Sequence, residues 1–183
     1  IRYLMGYTHY VRRPVKNAGS AYMFGKLALD AKKLCDYANA NGIRIRNGEG
    51  LGEPEFTEFD FSINGDAEAK VDEQPEFVFD VSDNEFYGNG KMVDLSHETF
   101  YWAGIPTHPK HREGESHYFS FCKTAMKPYD AVVTAILIRA KTIYGSCVEI
   151  SSDGEWQEWQ AGRDLYETVF GEVAPNPFVE VNA

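Results

Sequence analysis

The chain has little of what staples or anchors a small protein. Its three cysteines, Cys35, Cys122 and Cys147, stand at unrelated spacings with no Cys-x-x-Cys, which argues against a zinc ribbon or a thioredoxin-type motif. Each has an apolar residue on one side (Leu34, Phe121 and Val148), as expected of reduced thiols in a cytosolic protein. Long apolar runs are missing as well. The longest, Ala131–Ile138, is interrupted by Thr134 and falls far short of the ~20 residues that span a membrane. Ile1–Tyr10 has neither the basic start nor the apolar stretch of a secretion signal. Cations are scarce, with 18 Lys and Arg against 28 Asp and Glu, a net charge of −10. A protein that lives on nucleic-acid backbones needs the opposite balance, because that affinity comes from neutralising phosphates.

What is present is material for a core. Across 183 residues, 43% are hydrophobic and 14% aromatic, enough for one packed domain. That domain is expected over residues 1–172, with an acidic insertion at about 65–90 and a tail at 173–183 that is either a loose arm or a docking strand. Alternation predicts a strand over Arg2–Val11, with Tyr3, Met5, Tyr7 and His9 on one face and Leu4, Thr8 and Tyr10 on the other. Ser20 is a fitting N-cap for a helix ending at Gly42, whose apolar positions from Phe24 to Ala38 follow three-four spacing. Short strands are expected at Ile43–Arg46, Phe59–Ile63, Phe77–Phe79, His97–Trp102, His117–Cys122 and Cys147–Ser151. Helices are expected at Pro128–Tyr144 and from Gly154 to about Phe170, the latter capped by Ser152 or Asp153, and Gly104–Ser116 reads as a loop. The order is not a strict alternation of strand and helix. It points to an α+β fold with one mixed, largely antiparallel sheet and about three helices packed on it.

The densest chemistry lies in Phe121-Cys122-Lys123-Thr124-Ala125-Met126-Lys127-Pro128-Tyr129-Asp130. A strand end delivers a thiol, an ammonium and a hydroxyl in succession, and a second ammonium precedes Pro128, which suits the first helical position. Free N–H groups and the helix dipole make such a start an anion site, so Lys123, Thr124 and Lys127 are expected to meet phosphate. Arg12, Arg13, Lys123 and Lys127 are candidates for a basic pocket inside the acidic shell. Tyr7, Thr8, His9 and Tyr10 crowd hydrogen-bonding side chains into one strand, where a tyrosine can stack a base. Tyr129 is a further stacking candidate, and Thr99 and Asp153 further polar contacts. In Ser96-His97-Glu98-Thr99, alternation draws Glu98 inwards with Phe100 and Trp102. It is there either a pinned structural acid or a general base with a raised pKa. His97 and Glu98 are the catalytic candidates if the chain is an enzyme.

Other features read more plainly. Gly48–Pro54 lacks both the Lys-Ser/Thr ending of a P-loop and the last glycine of a dinucleotide fingerprint, and Glu49 and Glu53 would repel phosphate, so it is a turn. Cys122 beside Lys123 and Lys127 would be a nucleophile if they lowered its pKa, against the commoner half-buried inert thiol. His108-Pro109-Lys110-His111 is a solvated loop rather than a metal clip, and the acidic run Asp66–Glu85 does not follow EF-hand order. No metal and no cofactor are implied.

Four blocks stand in one order, Met5-Gly6-Tyr7-Thr8-His9-Tyr10, His97-Glu98-Thr99-Phe100, Phe121–Asp130, and Ser151-Ser152-Asp153-Gly154 before a Trp-bearing helix, with a Gly-x-Gly-x-Gly-Glu-Pro-like turn between the first two. In these the chain resembles an uncharacterised family of small bacteriophage and bacterial proteins. The resemblance runs from Met5 to about Phe170, with an insertion at Asp66–Gly90 longer than that family leads one to expect. It implies no catalytic residue or cofactor. By analogy with phage accessory proteins that counter host defences, it suggests location in the host-cell cytoplasm and a nucleotide signal as ligand. The expected partner is an anionic, nucleotide-like small molecule, bound and sequestered, with no nucleic acid and no membrane, and a homo-oligomer is left open. The alternatives are a hydrolase or phosphodiesterase acting on such a nucleotide, and an acidic interaction inhibitor that mimics nucleic acid.

Overall fold

A computed structural model describes residues 7–70, 92–112 and 114–179. Its strands form two four-stranded sheets and a two-stranded pair, antiparallel throughout, and three helices complete the α+β architecture. In the first sheet β1 (Thr8–Pro14) lies between β10 (Glu149–Ser152) and β9 (Glu115–Lys123), and β8 (Pro109–Arg112) pairs with the far side of β9. The second is built around β4 (Asp60–Gly65), which pairs with β2 (Ile45–Arg46), β3 (Glu55–Phe56) and β7 (Phe100–Ala103). A small pair, β5 (Ala69–Lys70) with β6 (Met92–Val93), stands at the base of the acidic insertion. The strand expected at Phe77–Phe79 and most of the insertion's carboxylates lie outside the described residues.

The expected loop at Gly104–Ser116 contains β8, which forms a hairpin with β9. Pro109 reads as a breaker in the sequence, but a proline is tolerated as the first residue of an edge strand.

The first helix, α1 (Ala21–Ala40), is bounded by local chemistry as the sequence predicts. Ser20 Oγ accepts the Met23 N–H at 3.3 Å, and Gly42, at φ +89°, lets the Ile43 N–H reach the Ala38 carbonyl at 3.0 Å. The second, α2 (Asp130–Tyr144), is buried on nearly every side between α1, α3 and the first sheet, which is why its sequence is apolar without clear periodicity. The third, α3 (Gln160–Phe170), follows a 3₁₀ turn at Trp156–Trp159. Its cap is not Ser152 or Asp153. Glu155 and Glu158 cap the turn reciprocally, with the Glu155 N–H on Glu158 Oε2 at 2.7 Å, while Ser152 and Asp153 turn towards β1. Through residue 179 the tail packs as irregular chain, with Ala174 buried and the Phe178 ring edge-on to Trp159 at 4.9 Å.

Helices α2 and α3 approach closely because Gly162 has no side chain. A Cβ there would lie 2.0 Å from Thr134 Oγ1 and 3.0 Å from the Ala135 amide nitrogen. Alanine gains about 1 kcal/mol of helix propensity, but overpacking against backbone costs about 1–3 kcal/mol and the clash here is at the severe end. Gly162→Ala is therefore expected to lower the urea midpoint by about 0.5–1 M. A midpoint equal to or above that of the wild type would refute the close packing.

Candidate functional site

Strand parity sorts the polar residues of the first sheet into two sets. On β1, Val11 and Arg13 point inwards and are buried, while Tyr10 and Arg12 alternate with them on the outward face. The register sets Tyr10 opposite Phe121 and Arg12 opposite Phe119. The result is an aromatic strip: Tyr10 stacks on Phe119 at 6.3 Å and Phe119 meets Phe121 at 6.1 Å. The Arg12 guanidinium lies 5.9 Å and the Lys110 ammonium 5.2 Å from the Phe119 ring centre. Lys123, paired with Thr8, continues the face, and Glu149 stands across from Arg12 on β10. Phe121 is 55% exposed, paired with β1 and lying beyond Tyr118, where the pairing with β8 ends.

The anion site expected at the start of α2 is built differently. The helix begins at Asp130, not Pro128, and Asp130 places its own carboxylate in the first turn, where a ligand phosphate was expected and where the dipole favours negative charge. Thr124 is fully buried and donates to Asp130 Oδ1 at 2.6 Å. Tyr129 is also buried and donates to the Glu98 carbonyl at 2.8 Å. The Lys127 ammonium donates to the carbonyls of Asp94 and Ser96, and burial lowers its pKa. These three groups are committed to internal bonds. Ala125 and Met126 both adopt positive φ, 52° and 56°, a conformation rare for residues with a Cβ and often found at functional sites.

The catalytic candidates are likewise pinned. Glu98 Oε2 accepts the Lys123 N–H at 2.7 Å and His97 Nδ1 lies 2.8 Å from the Lys123 carbonyl, so both clamp the end of β9 to the segment before β7. Of the two readings of Glu98, the contacts match the pinned structural acid. Thr99 donates to the Gly48 carbonyl at 2.6 Å. Burial pushes the Cys122 thiol up to about 12, which leaves it an inert core thiol despite its lysine neighbours.

Buried beneath the strip is a polar relay centred on His9, which is 1% exposed. Nδ1 lies 2.9 Å from Ser152 Oγ and Nε2 lies 2.7 Å from Asp130 Oδ1. Tyr7 and Trp159 stand edge-on to the imidazole at 5.1 Å each. Burial, with the charges of Asp130 and Glu158, raises the Tyr7 pKa. Its hydroxyl approaches Ser152 and Trp159, but among the described residues neither it nor Trp159 Nε1 makes a well-formed hydrogen bond. Asp153 latches the strand ends together: it accepts the Thr8 N–H at 3.0 Å and the Tyr10 hydroxyl at 3.1 Å. A cleft beside Asp130, Glu158 and Trp159 holds about 20 Å³, the room of a single water.

No protein-family model, curated protein or solved structure matches this chain. Of the ligand contacts expected from sequence, Tyr10 and Lys123 lie on the outward face. Tyr7, Thr8, His9, Thr124 and Tyr129 are buried, Lys127 is tethered, Thr99 is bonded to the Gly48 loop, and Asp153 is exposed but latched to β1. Phe119, Phe121 and Lys110 were missed. The alternation of Phe119 and Phe121 was visible, but which parity faces solvent depends on where α2 packs, and Lys110 lay in a segment read as a loop. From sequence, Ser152 reads as a cap at least as readily as a ligand contact, because a serine before Asp-Gly suits both.

Proposed function

We propose that the protein binds and sequesters a small phosphorylated, nucleotide-like molecule on the outward face of the first sheet. The supporting observation is Phe121, an aromatic 55% exposed on the sheet's outward face, continuous with Phe119 and Tyr10 and bordered by Arg12, Lys110 and Lys123. A π-face offers any base about 1–3 kcal/mol of stacking, and adjacent cations complement phosphate. The strip is short and the protein is acidic overall, which favours a mononucleotide or dinucleotide over a polymer. The resemblance to phage and bacterial proteins makes a nucleotide signal of host defence the first ligand to try.

The test incubates the protein with linear and cyclic nucleotides, then denatures it and identifies what is released. One intact compound is expected to leave solution and return unchanged, and Phe121→Ala is expected to weaken its binding about 5- to 150-fold, the loss of one stacked base. Phe121 is a surface residue, so its removal leaves the fold in place. No binding across the panel, or binding unaffected by Phe121→Ala, would overturn the proposal. A cleaved product in excess of protein would replace sequestration by turnover.

A further inference from the structure

We infer that Ser152, His9 and Asp130 form a nucleophile, base and carboxylate relay, a catalytic site for small carboxylic esters on the inner side of the first sheet. The relay is independent of the outward aromatic face. Its members are distant in sequence and are brought together by pairing: His9 and Ser152 are direct partners between β1 and β10, and Asp130 opens α2 beneath them. A carboxylate can only accept, so the Asp130 contact places a hydrogen on His9 Nε2, and in the neutral ring Nδ1 is then the acceptor for the Ser152 hydroxyl proton. Thr124 holds the same Asp130 oxygen, and the Gly154 N–H positions Ser152 Oγ at 3.0 Å. Most triads put serine on Nε2. The chemistry needs only that nucleophile and carboxylate face opposite ring nitrogens.

A second, separate observation points the same way. Two buried donors beside the ring, the Tyr7 hydroxyl and Trp159 Nε1, approach each other but make no well-formed hydrogen bond among the described residues. Buried donors are nearly always paired, whereas donors held ready for charge that develops only during reaction are what an oxyanion site requires. His9 is sealed from solvent, whereas Ser152 is partly exposed.

The sequence of steps is balanced. Ser152 Oγ bonds to the acyl carbon as its proton passes to His9 Nδ1, and the alcohol leaves with that proton. Water then attacks the acyl carbon, gives a proton to His9, and the acid departs as the proton returns to Ser152. Asp130 remains a carboxylate throughout.

A fluorophosphonate tests this directly, since fluoride leaves as the Oγ–P bond forms. One adduct per chain is expected, mapped to Ser152 by peptide mass spectrometry and absent in Ser152→Ala. Asp130→Asn is expected to slow labelling by ~10²-fold or more, and p-nitrophenyl acetate hydrolysis should follow the same order. The wild-type adduct map decides the matter even where a variant fails to fold. Folded wild-type protein that acquires no adduct, or one whose adduct lies away from Ser152, would show the relay to be structural only.

Discussion

Replacing Arg13 by methionine is expected to lower the melting temperature by about 8–16 °C, corresponding to about 4 kcal/mol at this chain length. The sequence offers Arg13 as a basic-pocket residue, but alternation turns it inwards, where it is 4% exposed. Among the described residues no carboxylate accompanies it there. Its guanidinium donates to the carbonyls of Ala18, Ala103 and Gly104 and lies between the rings of Trp102 and Tyr144, at 5.5 and 5.1 Å. Burial lowers its pKa, yet an arginine starts so high that it stays charged. Two effects compete in the variant. Methionine removes the cost of desolvating a cation, which by itself stabilises. It also leaves three carbonyls without donors, each a loss of about 1–3 kcal/mol, and unties β1 from β7, the strand through which the first sheet meets the second. The second effect wins because methionine brings no donor at all. Arg13→Lys keeps the charge but not the planar fork, and is expected to recover less than half of the loss. A methionine variant that melts within 2 °C of wild type would show that the carbonyls find water and that the sheets are held by apolar contacts alone.

The helices have a comparable pin with a pH signature. Arg139 of α2 reaches Asp30 of α1 at 2.8 Å and Tyr166 of α3 at 3.2 Å, and lies 4.4 Å over the Phe170 ring. Asp30 also accepts from Lys33 at 2.8 Å. Burial alone would raise the Asp30 pKa, but the hydrogen bonds from Lys33 and Arg139, and their charges, outweigh it and the net shift is downward. A depressed carboxylate contributes stability above its unfolded pKa, about 3.9, and loses it as pH falls through the lower folded value. Arg139→Met leaves Asp30 buried with one largely exposed lysine, and is expected to cost about 3 kcal/mol at pH 7. Its urea midpoint should lie well below wild type at pH 6–7, and the two should converge as pH drops towards 2.5. A gap that stays constant over that range would mean the loss comes from packing on Phe170 and Tyr166 rather than from the ion pair.

Both pins explain why the anticipated ligand contacts scattered. Reading Lys127, Thr124 and Arg13 as free cations and hydroxyls treated each as solvent-facing. Each lies instead where buried carbonyls or a carboxylate need a donor, and a buried acceptor left unpaired costs more than a surface contact returns.

The features legible in the sequence are those decided by neighbours. The limits of α1 follow from Ser20 and Gly42, whose effects reach only three or four residues along the chain. The parity of β1 and β9 is equally local, since alternate residues must face opposite sides. The apolar stretch Ala131–Ile138 announced a central helix. What depended on tertiary structure is which parity is inside, and that turned on where α2 and α3 pack. It left Arg12 and Phe121 outside, buried Arg13 and Cys122, and joined His9 to partners 121 and 143 residues away. Hydrogen bonds of that reach leave no periodic trace, because any spacing along the chain can close them once the sheet register is set.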